Sequence, residues 1–384
     1  MKKTKVLLVL ESQGGSRRHV VDLIDGLDPE RFDLALAYGT SRMDAQFVND
    51  IPRLSHRVRM IPCNRLVRRI NPLDDLAAFG QVRRAIREFR PDVVHCHSSK
   101  AGIIGRLAAM VERVPLVFYT PHAYSFQAPE FHGVKRSVFV ELERWFSRHA
   151  TTKTFNVSAG ERDAALAQRL DDPHKFQVIV NGIPDTPVVT KQEARRMLRM
   201  PEQMMDAIVV GVTARMVEQK DPMTFTRIAA QMIKRHPQMY FAYVGDGPYM
   251  GELTDYLRAQ GVLDHVFLPG YRQDADTIVA AFDVYLLTSL YEGMPYSLIE
   301  SIHAGVPVVA TRVTGNDEVV EPGVNGALFE VGDVDDGVKQ LETVMDAHFK
   351  PEDIHESYVE RFTLDAMVNA VAANYEGRRL KETA

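Results

Sequence analysis

Short apolar segments alternate with helix-length segments along almost the whole chain, and this rhythm limits the possible folds more than any other feature. The first six apolar segments lie at residues 5–10, 32–38, 92–97, 115–120, 151–158 and 175–181. Helix-length segments separate several of them, for example residues 15–27, 73–89 and 134–148. Strands that alternate with helices are typical of a parallel sheet covered by helices on both faces.

The rhythm stops once and then resumes. Residues 182–190, GIPDTPVVT, contain two prolines and no periodicity. Further apolar segments follow at residues 207–214, 239–247, 265–271, 283–289, 307–312 and 326–331. The sequence therefore predicts two Rossmann-like, doubly wound α/β domains, at about residues 1–185 and 190–360, that face a central cleft. In the tail, residues 361–384, a helix at 365–379 could pack back on the N-terminal domain.

Composition excludes several classes of protein. Apolar residues make up 45% and charged residues 25% of the 384 positions, which is ordinary for a globular protein and excludes a disordered chain. No apolar run approaches the roughly 18 residues of a membrane-spanning helix. The run 6–10 ends at Glu11 and is too short for a signal peptide. Two cysteines without a C-x-x-C pair favour a reducing compartment, and we expect a cytoplasmic protein.

The charge is divided unevenly. Residues 1–190 carry 28 Lys and Arg against 21 Asp and Glu, whereas residues 191–384 carry 18 against 30. Six arginines and no acid lie between Arg53 and Arg69, interspersed with apolar residues, which favours an anionic membrane surface as a partner. The aromatic side chains of Tyr124, Phe126 and Phe131 are candidates for contact with a lipid tail. The alternative is a solvated arginine face and a buried aromatic cluster. A pI near 6.2 and the lack of a recognisable motif argue against nucleic acid.

Candidate site residues of the first half follow strands, because ligands of open parallel sheets bind beyond the carboxyl ends of the strands. Gly14 and Gly15 follow the first segment, where a backbone and a helix start can approach a phosphate. His95 and His97 lie on one face of a strand. They indicate a structural pair, with His97 lining the cleft, rather than a zinc site, for which further ligands are missing. His122 ends another strand, where it can face substrate or lie in a loop.

Charged residues of the second half have the same placement. Arg215 and Lys220 follow the 207–214 segment and can clamp a diphosphate, although surface charges would look alike. Glu292 and Glu300 follow the 283–289 segment, the first in a turn and the second about one turn into a helix. Their carboxylates can accept hydrogen bonds from sugar and ribose hydroxyls, or merely favour the start of a helix.

The ordered motifs resemble those of the retaining glycosyltransferases of family 4, which have the GT-B fold. They are ARMVEQK, VGDG, FLPGY, SLYEGMPYSLIES, GVPVVAT and EVVEPGVNGALF, after HSSKAG and TPH in the first half. Glu292 and Glu300 match the E-x7-E motif of that family, and Arg215 and Lys220 match its basic pair. HSSKAG, TPHAYSF and TGNDEVV look most like bacterial enzymes that assemble exopolysaccharide, capsule or lipopolysaccharide on lipid carriers.

The resemblance implies a role for each matched residue. Glu300 would bind the ribose of a nucleotide sugar and Glu292 the sugar, while Arg215 and Lys220 hold the diphosphate. His122 would lie beside the transferred sugar. The remaining donor contacts would come from Gly15, Gly270, Tyr271, Arg272 and Gly293. The acceptor contacts would come from Gly14, His97 and Tyr124. We expect His122, Glu292, Arg215 and Lys220 to be the catalytic residues.

Two departures limit the resemblance. TGNDEVV replaces the commoner G-G-x-x-E-V loop, so no diphosphate contact is assigned to Asn316 or Asp317. Ser16-Arg17-Arg18 stands where many relatives have an acidic residue, so no acceptor contact is assigned there.

The implied reaction is sugar transfer from a nucleotide sugar, with UDP favoured over GDP, to a lipid-linked or saccharide acceptor. No Asp-x-Asp motif follows a strand, so we expect the two cations to offset the leaving charge without a metal or another cofactor. The enzyme would be cytoplasmic or peripheral on the inner face of the cytoplasmic membrane. The alternatives are a sugar-nucleotide 2-epimerase of the same architecture, a glycoside hydrolase that uses the two glutamates, and a non-catalytic sensor of nucleotide sugars.

Overall fold

A computed structural model describes residues 2–11, 14–127 and 131–377. The chain divides into two compact units. The first contains the chain up to Asn181 together with the segment from Leu364 onward, and the second runs from Gly182 to Thr363. The predicted boundaries, 185/190 and 360, differ from these by a few residues. The chain therefore passes from one unit to the other twice, near residues 182 and 363. These two places are adjacent, because the Ile183 backbone N–H donates to the Phe362 carbonyl oxygen at 2.9 Å.

The first unit is built on a seven-stranded parallel sheet. Its strands are β1 (Thr4–Leu10), β2 (Phe32–Gly39), β3 (Arg59–Cys63), β4 (Val93–His97), β5 (Leu116–Thr120), β6 (Lys153–Asn156) and β7 (Phe176–Val178). The spatial order is β3-β2-β1-β4-β5-β6-β7, and every pair is parallel. The order reverses at β1, so the ends of β1 and β4 flank the switch point where such sheets bind ligands.

Helices cover both faces of this sheet. They are α1 (Gly15–Gly26), α2 (Ala45–Leu54), α3 (Pro72–Phe89), α4 (Ser99–Val111), α5 (Gly133–Ala150) and α6 (Ala159–Ala167). Successive residues of a strand face opposite sides, so each strand supplies two cores. Leu7 and Val9 of β1 pack with α3 and α4, whereas Val6 and Leu8 pack with α1.

The last helix, α15 (Leu364–Glu376), belongs to the first unit. Its residues Met367, Val368, Val371 and Tyr375 are buried in the core beside α1. The contact is close, because a Cβ on Gly26 would lie 2.5 Å from a methyl group of Val368. The predicted helix 365–379 therefore exists, with its last two positions outside the described residues.

The second unit repeats the architecture with six parallel strands. They are β8 (Ile208–Thr213), β9 (Met239–Val244), β10 (Val266–Gly270), β11 (Val284–Leu287), β12 (Val308–Thr311) and β13 (Gly326–Phe329), in the order β10-β9-β8-β11-β12-β13. The helices are α7 (Lys191–Leu198), α8 (Pro222–Arg235), α9 (Met250–Ala259), α10 (Ala275–Ile278), α11 (Tyr296–His303), α12 (Asn316–Val319), α13 (Val334–Asp346) and α14 (Pro351–Val359).

All twelve apolar segments form strands, so the predicted α/β class with two doubly wound domains is confirmed. Strand β3 was missed. It lies inside the arginine-rich segment at the edge of the sheet, where Pro62 is tolerated because an edge strand leaves one row of N–H groups unpaired. In the described part of the chain, no helix is both long and apolar enough to cross a bilayer.

Candidate active site

Lys220 and Glu292 form an ion pair in the second unit. The Lys220 Nζ atom lies 2.5 Å from Glu292 Oε1, and the two side chains are 16% and 8% exposed. Lys220 ends a short 3-10 turn, Glu218–Lys220, and Glu292 lies in the loop after β11. Burial from water strengthens such a pair, so each charge holds the other in a defined place.

The two loops that carry this pair are fastened to each other. The Thr288 hydroxyl donates to the carbonyl oxygens of Lys220 and Asp221 at 3.0 and 2.8 Å. The Leu290 N–H donates to the Gln219 carbonyl at 2.8 Å. These bonds fix the backbone of Lys220 relative to the loop that carries Glu292.

Arg215 lies on the loop after β8, and two glycines permit the packing of that loop. A Cβ on Gly245 would lie 1.8 Å from the Ala214 carbonyl oxygen, and one on Gly247 would lie 2.3 Å from that of Met216. The Met216 N–H donates to the Asp246 carbonyl at 2.8 Å. The VGDG segment thus braces the arginine loop, and the exposed guanidinium of Arg215 extends from a fixed backbone.

Glu300 is buried in α11, five residues into the helix, as the turn chemistry of the sequence predicts. The phenol of Tyr285 contacts the backbone N–H of Thr213 at the end of β8. Burial raises the pKa of Tyr285 to about 12, and the Glu300 carboxylate adds to this shift. Glu300 is therefore close to the end of β8, from which the Arg215 loop begins.

Gly270, Tyr271 and Arg272 were predicted to contact the donor. Gly270 has φ +79°, a backbone conformation that favours glycine, and the ring of Tyr271 is half exposed. Arg272 donates to both carboxylate oxygens of Asp274, at 2.9 and 2.7 Å, and to the Met197 carbonyl. Through these contacts Arg272 holds its own loop, and the neighbouring Tyr271 offers a ring face.

The TGNDEVV loop packs on the glutamate loop. Gly315 has φ +85°, and a Cβ there would lie 2.2 Å from the carbonyl oxygen of Gly293. The Asn316 amide is fully buried and donates to the Thr311 carbonyl at 2.9 Å. Asn316 therefore anchors the loop internally, which accounts for a residue type that the family pattern does not explain.

Gly14 and Gly15 open α1 in the first unit. Gly14 has φ +70°, and a Cβ there would meet no atom within 4 Å, so glycine is required by conformation and not by space. Arg17 of the adjoining Ser16-Arg17-Arg18 segment is buried. Its guanidinium donates to Gln46 at 2.7 Å and lies 3.4 Å from a carboxylate oxygen of Asp44.

Histidine side chains cluster at the ends of β4 and β5. His97 and His122 stack with ring centroids 5.6 Å apart, and His97 Nδ1 lies 3.3 Å from His122 Nε2. His19 of α1 meets the His122 ring edge-on at 4.8 Å. Burial lowers the pKa of His19 to about 4 and holds the pKa values of His97 and His122 well below the usual imidazole range. All three rings are therefore neutral near pH 7.

The cluster is better suited to hydrogen bonding than to a metal. One nitrogen from each of the three rings lies within 4.8 Å of the others. Nitrogens bound to tetrahedral zinc at about 2.1 Å lie about 3.4 Å apart, and His97 and His122 already face each other through their nitrogens. His95 contacts Tyr375 and Thr120 at 2.6 and 2.8 Å, as expected of a structural histidine.

Two aromatic predictions are wrong. Tyr124 and Phe126 are 2% and 3% exposed and stack on each other in the core. The Tyr124 hydroxyl accepts from Asn156 Nδ2 at 3.1 Å, so this side chain faces neither an acceptor nor a lipid. Phe131 packs on Phe139 at 4.6 Å. Tyr124 and Phe126 therefore form a buried aromatic pair, which was the alternative interpretation, whereas Phe131 is half-buried.

The arginine-rich segment also differs from its simplest interpretation. Its apolar residues Leu54, Val58 and Leu66 are buried, because the segment contains the end of α2 and strand β3. Arg53 and Arg59 pair with Asp25 and Glu88. The apolar surface lies just beyond, at Ile70, Leu73 and Leu76, which are 69–80% exposed.

Sequence reasoning missed two residues of this site, His19 and Glu161. His19 lies one helical turn after Gly15. This spacing places His19 at the same end of α1 as the glycine pair and could have identified it. Glu161 follows Ser158 in the S-x-x-E pattern of a capping box. That pattern indicates only the start of a helix, so it gave no sign that the Glu161 carboxylate also accepts from the Ala123 N–H next to His122.

Comparisons with known proteins agree with this geometry. Residues 207–347 match the family described as Glycosyl transferases group 1, and residues 14–182 match the Glycosyl transferase 4-like domain. The chain is 29% identical over 338 residues to the Escherichia coli UDP-Gal:alpha-D-GlcNAc-diphosphoundecaprenol alpha-1,3-galactosyltransferase, covering 86% of this chain and 85% of that protein.

Two further proteins are similar. The lipopolysaccharide core biosynthesis glycosyltransferase LpsE of Rhizobium meliloti is 30% identical over 212 residues, 53% of this chain and 60% of that protein. The structure of Anabaena HepE in complex with UDP-glucose superposes with a TM-score of 0.80 at 22% identity, covering 97% of this chain and 99% of that chain. The similarity to HepE establishes the fold.

Proposed function

Because the chain belongs to the glycosyltransferases of the group 1, or family 4, type with the GT-B fold, we propose that it moves a sugar from a UDP-sugar to a lipid-linked acceptor in bacterial surface polysaccharide synthesis, with retention of configuration. The Escherichia coli relative is named for UDP-galactose and a diphosphoundecaprenol-linked acceptor. HepE was crystallised with UDP-glucose. These names support the donor and acceptor classes. The comparisons give no support to the 2-epimerase alternative.

One observation carries the proposal, the buried contact between Lys220 and Glu292 on two mutually fastened loops. Negative charge builds on the diphosphate when the anomeric C–O bond breaks. Lys220, together with Arg215, offsets that charge, and preorganised groups of this kind contribute roughly 3–4 kcal/mol each. Glu292 is then released to accept from sugar hydroxyls, while Glu300 accepts from the ribose. No metal is required in this scheme.

The acceptor hydroxyl attacks on the face that the diphosphate leaves. A diphosphate oxygen takes the hydroxyl proton as the new C–O bond forms, so no enzyme nucleophile is needed. His122 contacts the transferred sugar as a neutral imidazole, in agreement with its lowered pKa. Gly15 offers its backbone near the phosphates at the start of α1.

The test uses a panel of UDP- and GDP-sugars with GlcNAc-diphosphoundecaprenol as acceptor. Binding of the correct donor raises the melting temperature by mass action, and mass spectrometry detects an acceptor heavier by one sugar. UDP release without acceptor-dependent product would point to the epimerase. Cleavage of a nitrophenyl glycoside without nucleotide would point to a hydrolase. Donor binding without any product would identify a sensor.

We further propose that the first unit docks on the inner face of the cytoplasmic membrane through the starts of α3 and α5. Lys100 of α4 pairs with Asp75 of α3 at 2.6 Å, and Arg136 of α5 donates to the Phe126 carbonyl. The first contact ties the start of α3 to the start of α4, and the second ties the start of α5 to the turn at Phe126. Each of these helices follows a strand of the parallel sheet, so its start lies at the carboxyl edge, where a ligand is expected.

That edge combines exposed apolar and basic side chains. Leu73 and Val134 are 80% and 81% exposed, and Arg65 and Arg69 share the single carboxylate of Asp74. Arg68 is exposed as well. Each arginine near an anionic membrane surface contributes about 1 kcal/mol to binding. Leucines that become buried in the membrane add to this binding energy.

Sedimentation with phosphatidylglycerol vesicles tests the surface. Changing Arg65, Arg68 and Arg69 together to Ser should weaken binding at least about tenfold. Leu73→Ser with Leu76→Ser should weaken it at high salt as well, since apolar burial is not screened. Arg258→Ser in the second unit, also exposed, is the matched control. Sedimentation equal to wild type in both variants contradicts the proposal.

A further inference from the structure

His122 is held in an unfavourable backbone conformation. It has φ +54° and Ala123 has φ +79°, so two consecutive non-glycine residues occupy the left-handed region. Such residues cost of order 1–3 kcal/mol each and persist only where the surroundings hold them. Something in the first unit must therefore supply the restraint.

Glu161 provides that restraint for the backbone. Its side chain is fully buried at the start of α6. Oε1 accepts from the Ala123 N–H at 2.6 Å, and Oε2 accepts from the Val157 N–H at 2.9 Å. The same carboxylate thus ties the strained turn after β5 to the start of α6, and charge-assisted bonds to backbone N–H groups are strong when buried.

His97 provides the restraint for the ring. Its Nε2 atom is buried and has no hydrogen-bond partner among the residues that the structure describes, while Nδ1 faces His122 Nε2. A buried N–H without an acceptor is costlier than a bare lone pair, so the proton of neutral His97 belongs on Nδ1. His97 then donates to His122 Nε2, which leaves the proton of neutral His122 on Nδ1.

His19 closes the other side of the cluster. Its Nδ1 lies 3.0 Å from the side-chain oxygen of Asn181, which can only accept, so His19 donates there and presents a bare Nε2. Burial is the main cause of the lowered pKa of His122, and the neighbouring His19 and His95 lower it further. The cluster therefore keeps His122 neutral and lets it act as a hydrogen-bond donor through Nδ1.

We propose that Glu161 and His97 are positioning residues for His122, the first fixing its backbone and the second its tautomer, so that the Nδ1–H group is presented to a hydroxyl oxygen of the transferred sugar. The identity of the substrate in this inference rests on the proposed function. The assignment of the His122 tautomer rests only on the contacts within the first unit.

The tautomer is measured first, by the ring ¹⁵N resonances of His122 in full-length protein labelled at histidine, with exposed His174 as the internal reference. The expected result is a protonated Nδ1 in wild type and a loss of this preference in His97→Ala. A protonated Nε2 in wild type overturns the role of His97, whether or not transferase activity is found.

Kinetics test the role in turnover. His97→Asn keeps an amide N–H near the Nδ1 position, whereas His97→Gln places its amide near Nε2. We expect kcat within a few-fold of wild type for the first and a loss of about 10²-fold for the second, with the donor KM changed little. Equal kcat for the two variants contradicts the assignment.

Glu161 is tested in the same way. Glu161→Ala should lower kcat by about 10²-fold, and Glu161→Gln, which retains one acceptor oxygen, should recover part of it. Asp163→Asn, an exposed acid on the same helix, is the control and should leave kcat unchanged. If Glu161→Ala is folded by circular dichroism and retains the wild-type kcat, Glu161 is only structural and the proposal fails.

Discussion

At the scale of single residues, Lys220 and Glu292 of the second unit are already paired before a donor is bound. Glu292 neutralises Lys220 at 2.5 Å in a largely buried position. In the proposed reaction a diphosphate replaces this carboxylate, so the lysine is placed in advance and does not have to be desolvated again. This arrangement makes Lys220 more important for the transition state than for binding.

Lys220→Ala should therefore lower kcat by about 10²–10³-fold and weaken donor binding only a few-fold. Glu300→Ala should mainly weaken donor binding, because the ribose contact is equal in the ground and transition states. Calorimetric titration with the UDP-sugar and steady-state kinetics separate the two effects. Equal affinity and equal turnover in both variants would contradict the site assignment.

Asp22 makes stability depend on pH. Burial raises its pKa from an ordinary value near 4 to about 6, against the lowering effect of Arg18. The folded state then binds a proton between pH 4 and 6 that the unfolded state has lost, so stability present below pH 4 decreases as pH rises through 6. We expect a decrease of about 1–3 kcal/mol that Asp22→Asn abolishes, measured by urea unfolding at several pH values. A decrease of the same size in Asp22→Asn would argue against this carboxyl.

At the scale of elements, α15 begins at Leu364 but packs in the first unit, whose first strand β1 begins at Thr4. Its Tyr375 hydroxyl lies 2.6 Å from His95 Nδ1, and the Tyr375 ring contacts Phe118 of β5. The helix thus supports β4 and β5, the two strands that end at His97 and His122.

Tyr375→Phe should destabilise the first unit by about 1–3 kcal/mol, because it leaves the buried His95 Nδ1 without a partner. Urea unfolding followed by circular dichroism measures the change. Tyr256→Phe in the second unit, where the phenol is partly exposed, is the control and should have little effect. A smaller change in Tyr375→Phe than in Tyr256→Phe would show that the hydrogen bond is not important.

At the scale of the whole molecule, the chain completes its first unit only after its second. Ending the chain at Thr363 removes the buried side chains Met367, Val368, Val371 and Tyr375. Each contributes about 1.5–3 kcal/mol, and their sum is comparable with the stability of a domain. Limited proteolysis should then digest the first unit and leave a fragment close to Gly182–Thr363 in size. Equal resistance of both units would contradict this dependence.

The sequence by itself determined the fold and the loops of the second unit. Apolar segments bounded by turn residues predicted twelve strands, and the E-x7-E spacing placed Glu292 in a turn and Glu300 in α11. Both are local properties, since strand periodicity and a helix start depend on neighbouring residues. The edge strand β3 was not predicted, because its five residues include a proline and show too weak an alternation of apolar and polar side chains.

Only the tertiary structure decided which residues meet. His19, His97 and Glu161 belong to three elements and His122 to the loop after β5. Their contacts depend on strand order and on burial, which no short window of sequence contains. The same reason explains why Tyr124 faces the core and why Arg272 donates to the Met197 carbonyl. Local spacing specifies elements, whereas long-range packing selects the partner of each polar group.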